Sequence, residues 1–152
     1  MFGKLNLFVI GFLLSACADP QYIQASHNGG ELQSKVQVLD CNAKFKPSAT
    51  CLYWRWESFP TSDKPGTLSF RLFDLDPDDG FPITKRPDTT PYVLLWMPSM
   101  GHGSSPVTVT EVREGVYQAS NIFFVMPGDW EIRFQIREGT KVIDEAVVSL
   151  NY

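Results

Sequence analysis

Hydrophobic and polar residues alternate along several short segments of the chain. In 130-WEIRFQIRE-138, apolar residues occupy every second position: Trp130, Ile132, Phe134 and Ile136. Successive side chains of a β-strand point to opposite faces of a sheet, so this spacing predicts a strand with one buried face. In 67-TLSFRLFD-74 the same alternation puts three apolar residues on one face: Leu68, Phe70 and Leu72.

Clusters of Pro, Gly, Asp and Ser separate these segments from others of the same kind. The predicted strands are 35–39, 52–57, 67–74, 92–97, 107–114, 117–125, 130–137 and 142–151. Residues 138–141 read EGTK and predict a tight hairpin turn between the last two strands. The pattern predicts one all-β domain at residues 34–152, an immunoglobulin-like antiparallel β-sandwich of about seven to eight strands.

The first residues have the pattern of a secretory signal peptide. Lys4 precedes an apolar run from 5 to 14, which is too short to span a bilayer as a helix. The run ends in 14-LSAC-17, which resembles the lipobox of bacterial lipoproteins, whose cysteine becomes the lipidated first residue. We therefore expect a signal peptide at 1–16, a lipidated (palmitate-bearing) Cys17 as membrane anchor, and a flexible tether at 17–33. The alternatives are an ordinary secretory signal with a chance cysteine, or a short anchor.

The residue after the cysteine bears on location. In lipoproteins of this kind, an aspartate there tends to retain the protein at the inner membrane. Ala18 therefore favours the periplasmic face of the outer membrane over that of the inner one. The net charge is −4, and loss of Lys4 with the signal peptide would make it −5. An acidic domain with scattered charges does not favour binding of nucleic acid or of anionic membrane surfaces.

Two cysteines, Cys41 and Cys51, are left once Cys17 carries lipid. Export to an oxidising compartment favours a disulfide bond between them. A two-thiolate metal site is the alternative, although nine intervening residues are long for that purpose.

The segment 74-DLDPDDG-80 has alternate aspartates like a calcium loop. The EF-hand spacing requires glycine at the sixth position, where Asp79 stands, and a glutamate where Lys85 stands. We therefore expect a solvated acidic turn within a long proline-rich connection at 75–91.

Sulfur and imidazole are concentrated in 96-WMPSMGHGSSP-106. Met97 and Met100 lie here with His102, and Met126 follows in a second Met-Pro turn at 123-FFVMPGDW-130. Thioethers favour Cu(I) over hard cations, and they need no deprotonation in a mildly acidic periplasm. Glycines on both sides of His102 allow the chain to fold back, so these four residues could form a Cu(I) site shielded by Trp96 or Trp130. The alternative is that the methionines fill the core and His102 is simply exposed. His27 lies in the tether and is a poor candidate ligand.

The stretch 92–136 resembles the YtkA-like and FixH-like domains of bacterial envelope proteins. The shared pattern is an MP-x-MGHG turn, a G-x-Y strand and then F-x-MPG-x-W-x-I. The resemblance implies an extracytoplasmic immunoglobulin-like sandwich, often membrane-tethered and associated with copper handling or haem–copper oxidase assembly. It marks a set of ligand positions: Met97, Met100, His102 and Met126. The cysteine pair, the aromatic segment 52–59 and the proline-rich connection are outside the pattern.

No hydrolase, metalloprotease or phosphate-binding motif is present, so we do not expect an enzyme. The first hypothesis is a lipid-anchored copper carrier or buffer of the cell envelope. The second is a structural or interaction module that binds an envelope protein through an exposed surface such as 52-LYWRWESF-59. The carrier requires the three sulfurs and the imidazole to converge near the surface. The interaction module requires Met97 and Met126 to point into the core and His102 to point elsewhere.

Overall fold

The structure is a computed structural model that describes residues 39–152. The expected signal peptide, lipidated Cys17 and tether, with His27, lie outside the described residues, as does almost all of the strand predicted at 35–39. Ten strands are present in this part of the chain: β1 (Ala43–Lys44), β2 (Cys51–Ser58), β3 (Gly66–Leu75), β4 (Pro82–Lys85), β5 (Tyr92–Met97), β6 (His102–Gly103), β7 (Thr108–Arg113), β8 (Val116–Ile122), β9 (Asp129–Glu138) and β10 (Lys141–Asn151). Within 39–152, no helix has the length and hydropathy needed to cross a membrane.

The strands form two antiparallel sheets, as predicted for a β-sandwich. The larger sheet has the order β1-β2-β3-β8-β7, and β4 also pairs with β3. One edge of β3 is therefore shared, with residues 66–71 facing β8 and residues 72–75 facing β4. The smaller sheet has the order β10-β9-β5-β6.

The core lies between the two sheets and follows the predicted alternation. Leu68, Phe70 and Leu72 of β3 are at most 2% exposed, and Trp130, Ile132 and Phe134 of β9 are fully buried; Ile136 is half-buried. The rings of Phe70 and Phe134 meet edge to face, with centroids 5.1 Å apart, and join the sheets. Burying each such side chain contributes roughly 1.5–3 kcal/mol to stability.

Three short strands were not predicted, and they account for the count of ten. β1 and β6 are only two residues long, too short to produce an alternating pattern. β4 lies inside the segment 75–91, where its proline at position 82 made a long connection the simpler expectation. The strand predicted at 117–125 ends at Ile122, beside Asn121, whose φ of 62° breaks the extended backbone.

The predicted disulfide is present between Cys41 and Cys51, whose Cα atoms are 5.2 Å apart. Cys51 begins β2 and is 3% exposed. The bond therefore ties the segment before β1 to the first residue of β2. The disulfide, both sheets and the core all lie within 39–152, so a chain that begins in the tether retains every contact described here.

Candidate metal site

The first Met-Pro turn folds His102 back onto Met97. These two residues are directly opposite each other where β6 pairs with β5. The Met97 carbonyl accepts hydrogen bonds from the amides of Met100 (3.2 Å) and Gly101 (2.9 Å), and Gly101 has a φ of 66°. Opposite residues of an antiparallel pair project to the same face, with Cβ atoms about 4.5–5.5 Å apart. The sulfur of Met97 and the imidazole of His102 therefore start from neighbouring positions on one face.

The second Met-Pro turn lies against the first. A Cβ atom built on Gly128 would be 2.4 Å from Cε of Met97, so the thioether of Met97 reaches the turn that follows Met126. The indole Nε1 of Trp130 donates a hydrogen bond of 3.0 Å to the Met126 carbonyl. Tyr152 also holds this turn in place. The Gly128 amide donates to the Tyr152 carbonyl at 2.9 Å, and the Tyr152 amide donates to the Gly128 carbonyl at 3.0 Å.

A side-chain hydrogen bond joins the two turns directly. The Ser104 hydroxyl, just after β6, donates to the carbonyl of Phe123, three residues before Met126. The amide of Ser104 also donates to the Leu95 carbonyl at 3.3 Å. Both Met-Pro turns are consequently held at the same end of the sandwich, as the carrier hypothesis requires.

The imidazole of His102 is oriented by its own backbone. Nδ1 lies 3.0 Å from the carbonyl oxygen of Gly103. Since a carbonyl can only accept, this hydrogen bond requires the proton on Nδ1, so in the neutral ring the lone pair is on Nε2, as in metal-ligating histidines. The ring packs edge-on to Trp130, with centroids 6.5 Å apart. His102 therefore faces the indole between the two turns.

The four predicted ligands differ in exposure. Met97 is 4% exposed and belongs to the core, and Met126 is partly buried against it. His102 is half-buried, while Met100 is 58% exposed on the tip of the turn. The fold thus places His102 opposite Met97 and beside Trp130, brings the turn that follows Met126 against Met97, and leaves Met100 at the rim. The positions of Met97 and Met126, in and against the core, fit the structural alternative as well, whereas His102 is half-buried beside Trp130 and not simply exposed.

The sequence missed two residues that shape this end. Gly128 leaves room for the Met97 methyl group, and the backbone of Tyr152 bonds to the same turn. Gly128 is the glycine of the shared MPG pattern, but nothing in the sequence indicated its contact with Met97 or the role of Tyr152. Of the two tryptophans considered as shields, Trp130 lies at the site. Trp96 is on the opposite face of β5, where the Arg133 guanidinium lies 5.5 Å from its ring centre.

The acidic segment 74–80 is a closed hairpin turn. The amide of Asp78 bonds to the carboxylate of Asp76, and the amide of Phe81 bonds to that of Asp79, at 2.8 and 2.9 Å. Asp74 pairs with Lys85 at 2.8 Å, and that hydrogen bond, followed by one from Thr50, lowers the pKa of the Asp74 carboxyl. Within 39–152, His, Cys, Asp and Glu side chains form no cluster of three or more suited to a metal ion.

The aromatic segment 52–59 is mostly occupied by internal packing. Trp54 and Trp56 share a face and pack against the core, with ring centroids 5.8 Å apart. Tyr53 is on the opposite face and lies under the Arg71 guanidinium at 5.6 Å. Phe59, which is 52% exposed, is the large apolar side chain of this segment that remains at the surface.

Comparison with known families bears on the same residues. A family model described as YtkA-like matches residues 62–135. The chain contains a YtkA-like domain. The YtkA-like match runs from the β2–β3 loop into β9, so it includes all four candidate ligands and also the proline-rich connection, which the sequence pattern had left outside. Searches of the curated proteins and of the solved structures found no match.

Proposed function

We propose that the YtkA-like domain binds one Cu(I) ion at the end of the sandwich that holds the two Met-Pro turns, and acts as a metal carrier or buffer in the cell envelope. The observation that carries the proposal is the pairing of Met97 with His102, together with the contact between Met97 Cε and the turn after Met126. Met97, His102 and the turn that follows Met126 therefore lie at the same end of the sandwich, which supports a shared site for two thioethers and an imidazole.

The donor set suits Cu(I). Two or three neutral thioethers and one neutral imidazole are soft to borderline ligands, which hold Cu(I) in preference to hard cations. Met97, Met126 and Nε2 of His102 would hold the ion from within the sandwich. Met100 would approach from the exposed turn, where Gly101 permits the required backbone conformation.

The exposure of the ligands supports a carrier in particular. Met100 at the rim is accessible to a partner, and next to Met126 lies a surface cavity of about 440 Å³ lined partly by Phe123, Val125 and Tyr152. Val125 is 55% exposed. We propose that an envelope protein docks here to exchange the ion. A binding rather than a catalytic role follows from this account.

The expected anchor at Cys17 completes the proposal by holding the carrier at the membrane, on the periplasmic side. Cell fractionation tests it separately. A Cys17→Ala protein should leave the membrane fraction, and its retention there would refute the lipid anchor.

Copper binding is tested by anaerobic Cu(I) competition against a chromogenic chelator, with the chain from Ala18 onward. The comparison is with a Met97→Leu, Met100→Leu, Met126→Leu variant, which keeps side-chain volume and removes sulfur. One ion bound by the wild type and lost in a folded variant supports the carrier. Equal binding, or none by either protein, supports the alternative of a structural or interaction module.

A further inference from the structure

The outer face of the larger sheet contains a shallow cleft of about 370 Å³ that crosses β2, β3, β8 and β7. Its charged lining residues are three arginines and one glutamate, a formal charge of +2: Arg55, Arg71, Arg113 and Glu57. The whole chain carries −4. The cleft is therefore a positive site on an acidic protein, which the overall composition did not reveal.

The register of the sheet places two of these arginines in one row. Arg71 is opposite both Tyr53 and Val116, and Val116 is opposite Arg113. Neighbouring strands are about 4.8 Å apart, so the Cα atoms of Arg71 and Arg113 are roughly 10 Å apart on either side of Val116. Two guanidinium groups can converge on one anion across that distance. The register shift between Glu111 and Arg113 is what turns Val112 and Arg113 together toward the cleft.

The arginines differ in what they already contact. Arg55 is paired with Glu57 at 2.9 Å. Arg71 lies over the ring of Tyr53, an arrangement that leaves its N–H edge available. Within residues 39–152, Arg71 and Arg113 take part in no ion pair. Two guanidinium groups on this face are therefore available to an external oxyanion.

The position of the first described residue indicates which partner the outer face of the larger sheet meets. Leu39, the first residue described, lines the same cleft. The chain before it leads back to Cys17 and the apolar run at 5–14. Leu39 lies 22 residues after Cys17 (39 minus 17), and even a fully extended chain of that length spans at most about 75 Å, so an anchor at Cys17 would keep this cleft within reach of the bilayer.

We propose that Arg71 and Arg113, assisted by Arg55, bind the phosphate groups of anionic phospholipids, so that the larger sheet faces the membrane. Guanidinium forks match phosphate oxygens in geometry as well as in charge. Each arginine near an anionic surface strengthens association about five-fold. Two arginines bind weakly by themselves, but a tether raises the effective concentration to roughly millimolar, where weak contacts suffice. The inference rests on the expected anchor and is independent of copper.

The test attaches the chain to vesicles through its own tether. A chain that begins at Cys17 is coupled by that thiol to a maleimide lipid, with Cys41 and Cys51 protected by their disulfide. Phenylglyoxal then modifies accessible arginines, and mass spectrometry measures the rate at each. On vesicles that contain phosphatidylglycerol, Arg71 and Arg113 should react several-fold more slowly than on pure phosphatidylcholine. The rate at Arg86, which is 58% exposed and does not line the cleft, should not change.

Charge-matched variants separate the site from net charge. The double variant Arg71→Gln, Arg113→Gln should abolish the lipid-dependent protection of Arg55. The double variant Lys64→Gln, Lys141→Gln removes the same charge from the β2–β3 loop and the β9–β10 hairpin. It should retain the protection of all three cleft arginines. Equal rates on both kinds of vesicle would overturn the proposal. The proposal would also be overturned if, on pure phosphatidylcholine vesicles, the cleft arginines were protected by added inorganic phosphate or by a glutamate-rich peptide. The first result would assign the cleft to a soluble anion, and the second to an acidic protein.

Discussion

Gly128 and Met97 are in such close contact that a side chain at residue 128 would displace the Met97 methyl group. A Cβ at this position would lie 2.4 Å from Cε of Met97, and Gly128 has a φ of 142°, which side-chain-bearing residues rarely adopt. The methyl group of the buried thioether fills the space that glycine leaves. The contact joins the β5–β6 turn to the β8–β9 turn, so both the stability of the domain and the candidate metal site depend on it.

Substitution of Gly128 by alanine should therefore both strain the backbone and displace Met97. The matched control is Gly101→Ala, where φ is 66° but a Cβ would meet nothing within 4 Å. We expect the control to lose about 1 kcal/mol from backbone strain alone. Gly128→Ala should lose more, because a φ of 142° strains alanine more than one of 66° does, and displacement of Met97 adds overpacking, for roughly 1–3 kcal/mol beyond the control. Urea unfolding of both variants measures the difference, and equal losses would contradict the contact.

The methionine variants used to test copper binding should remain folded. Met97 is 4% exposed, and its replacement by leucine nearly conserves volume, so the loss should be below about 1.5 kcal/mol. Met100 is 58% exposed, and Met100→Leu should change stability by less than about 0.5 kcal/mol. Thermal melting of the two single variants checks both values. A larger loss for Met100→Leu would show that its side chain is packed rather than exposed.

Removal of the disulfide should destabilise the domain without altering the candidate site. The bond closes a loop with a sequence separation of 10, which corresponds to about 2–3 kcal/mol of chain entropy in the unfolded state. Cys41→Ser with Cys51→Ser should show that loss in urea unfolding. Because the bond is far along the chain from the Met-Pro turns, Cu(I) affinity measured on the folded variant should equal that of the wild type. A parallel loss of affinity would link the two regions.

Acid should weaken the β3–β4 hairpin through Asp74. The hydrogen bonds from Lys85 and then Thr50 hold the pKa of the Asp74 carboxyl below its ordinary value of 3.8. A lowered pKa in the folded state gives stability that is present above 3.8 and is lost as the pH falls through the folded value. Since Asp74 is partly exposed, solvent screening makes the effect small.

The variant Asp74→Asn isolates this effect. It should be less stable than the wild type above pH 3.8 and approach it at lower pH, which thermal melting across that range measures. A constant difference at every pH would mean that Asp74 titrates normally.

Strand positions could be predicted from the sequence where one face of the strand is buried and the other is exposed to solvent. The alternation in 130–136 and 67–74 reports burial directly, and the structure places Trp130, Ile132 and Phe134 in the core as expected. Gln135 shows where the rule ends. It is 4% exposed on the outer face, because its side-chain amide donates to the Glu145 carboxylate and accepts from the Arg137 guanidinium, and these two side chains cover it.

The candidate site was predictable in part. The glycines around His102 predict a tight turn, and the pairing of Met97 with His102 follows once β5 and β6 form a hairpin. That Met97 would reach Gly128 depends on how two distant strand ends meet, which no local pattern encodes. The arginine cleft was hidden for the same reason, because Arg71 and Arg113 are neighbours through pairing of β3, β8 and β7 and not through the sequence.

The most direct measurement is NMR of methionine methyl groups during anaerobic titration with Cu(I). The chain from Ala18 contains only three internal methionines, 97, 100 and 126, so each gives its own methyl signal. We predict that all three signals move during the titration and stop moving at one equivalent of Cu(I). The variant His102→Ala should bind Cu(I) more weakly, so that the signals of Met97 and Met126 move less at the same Cu(I) concentration. Signals of Met97 and Met126 that stay in place while Cu(I) is bound would contradict a site at this end of the sandwich.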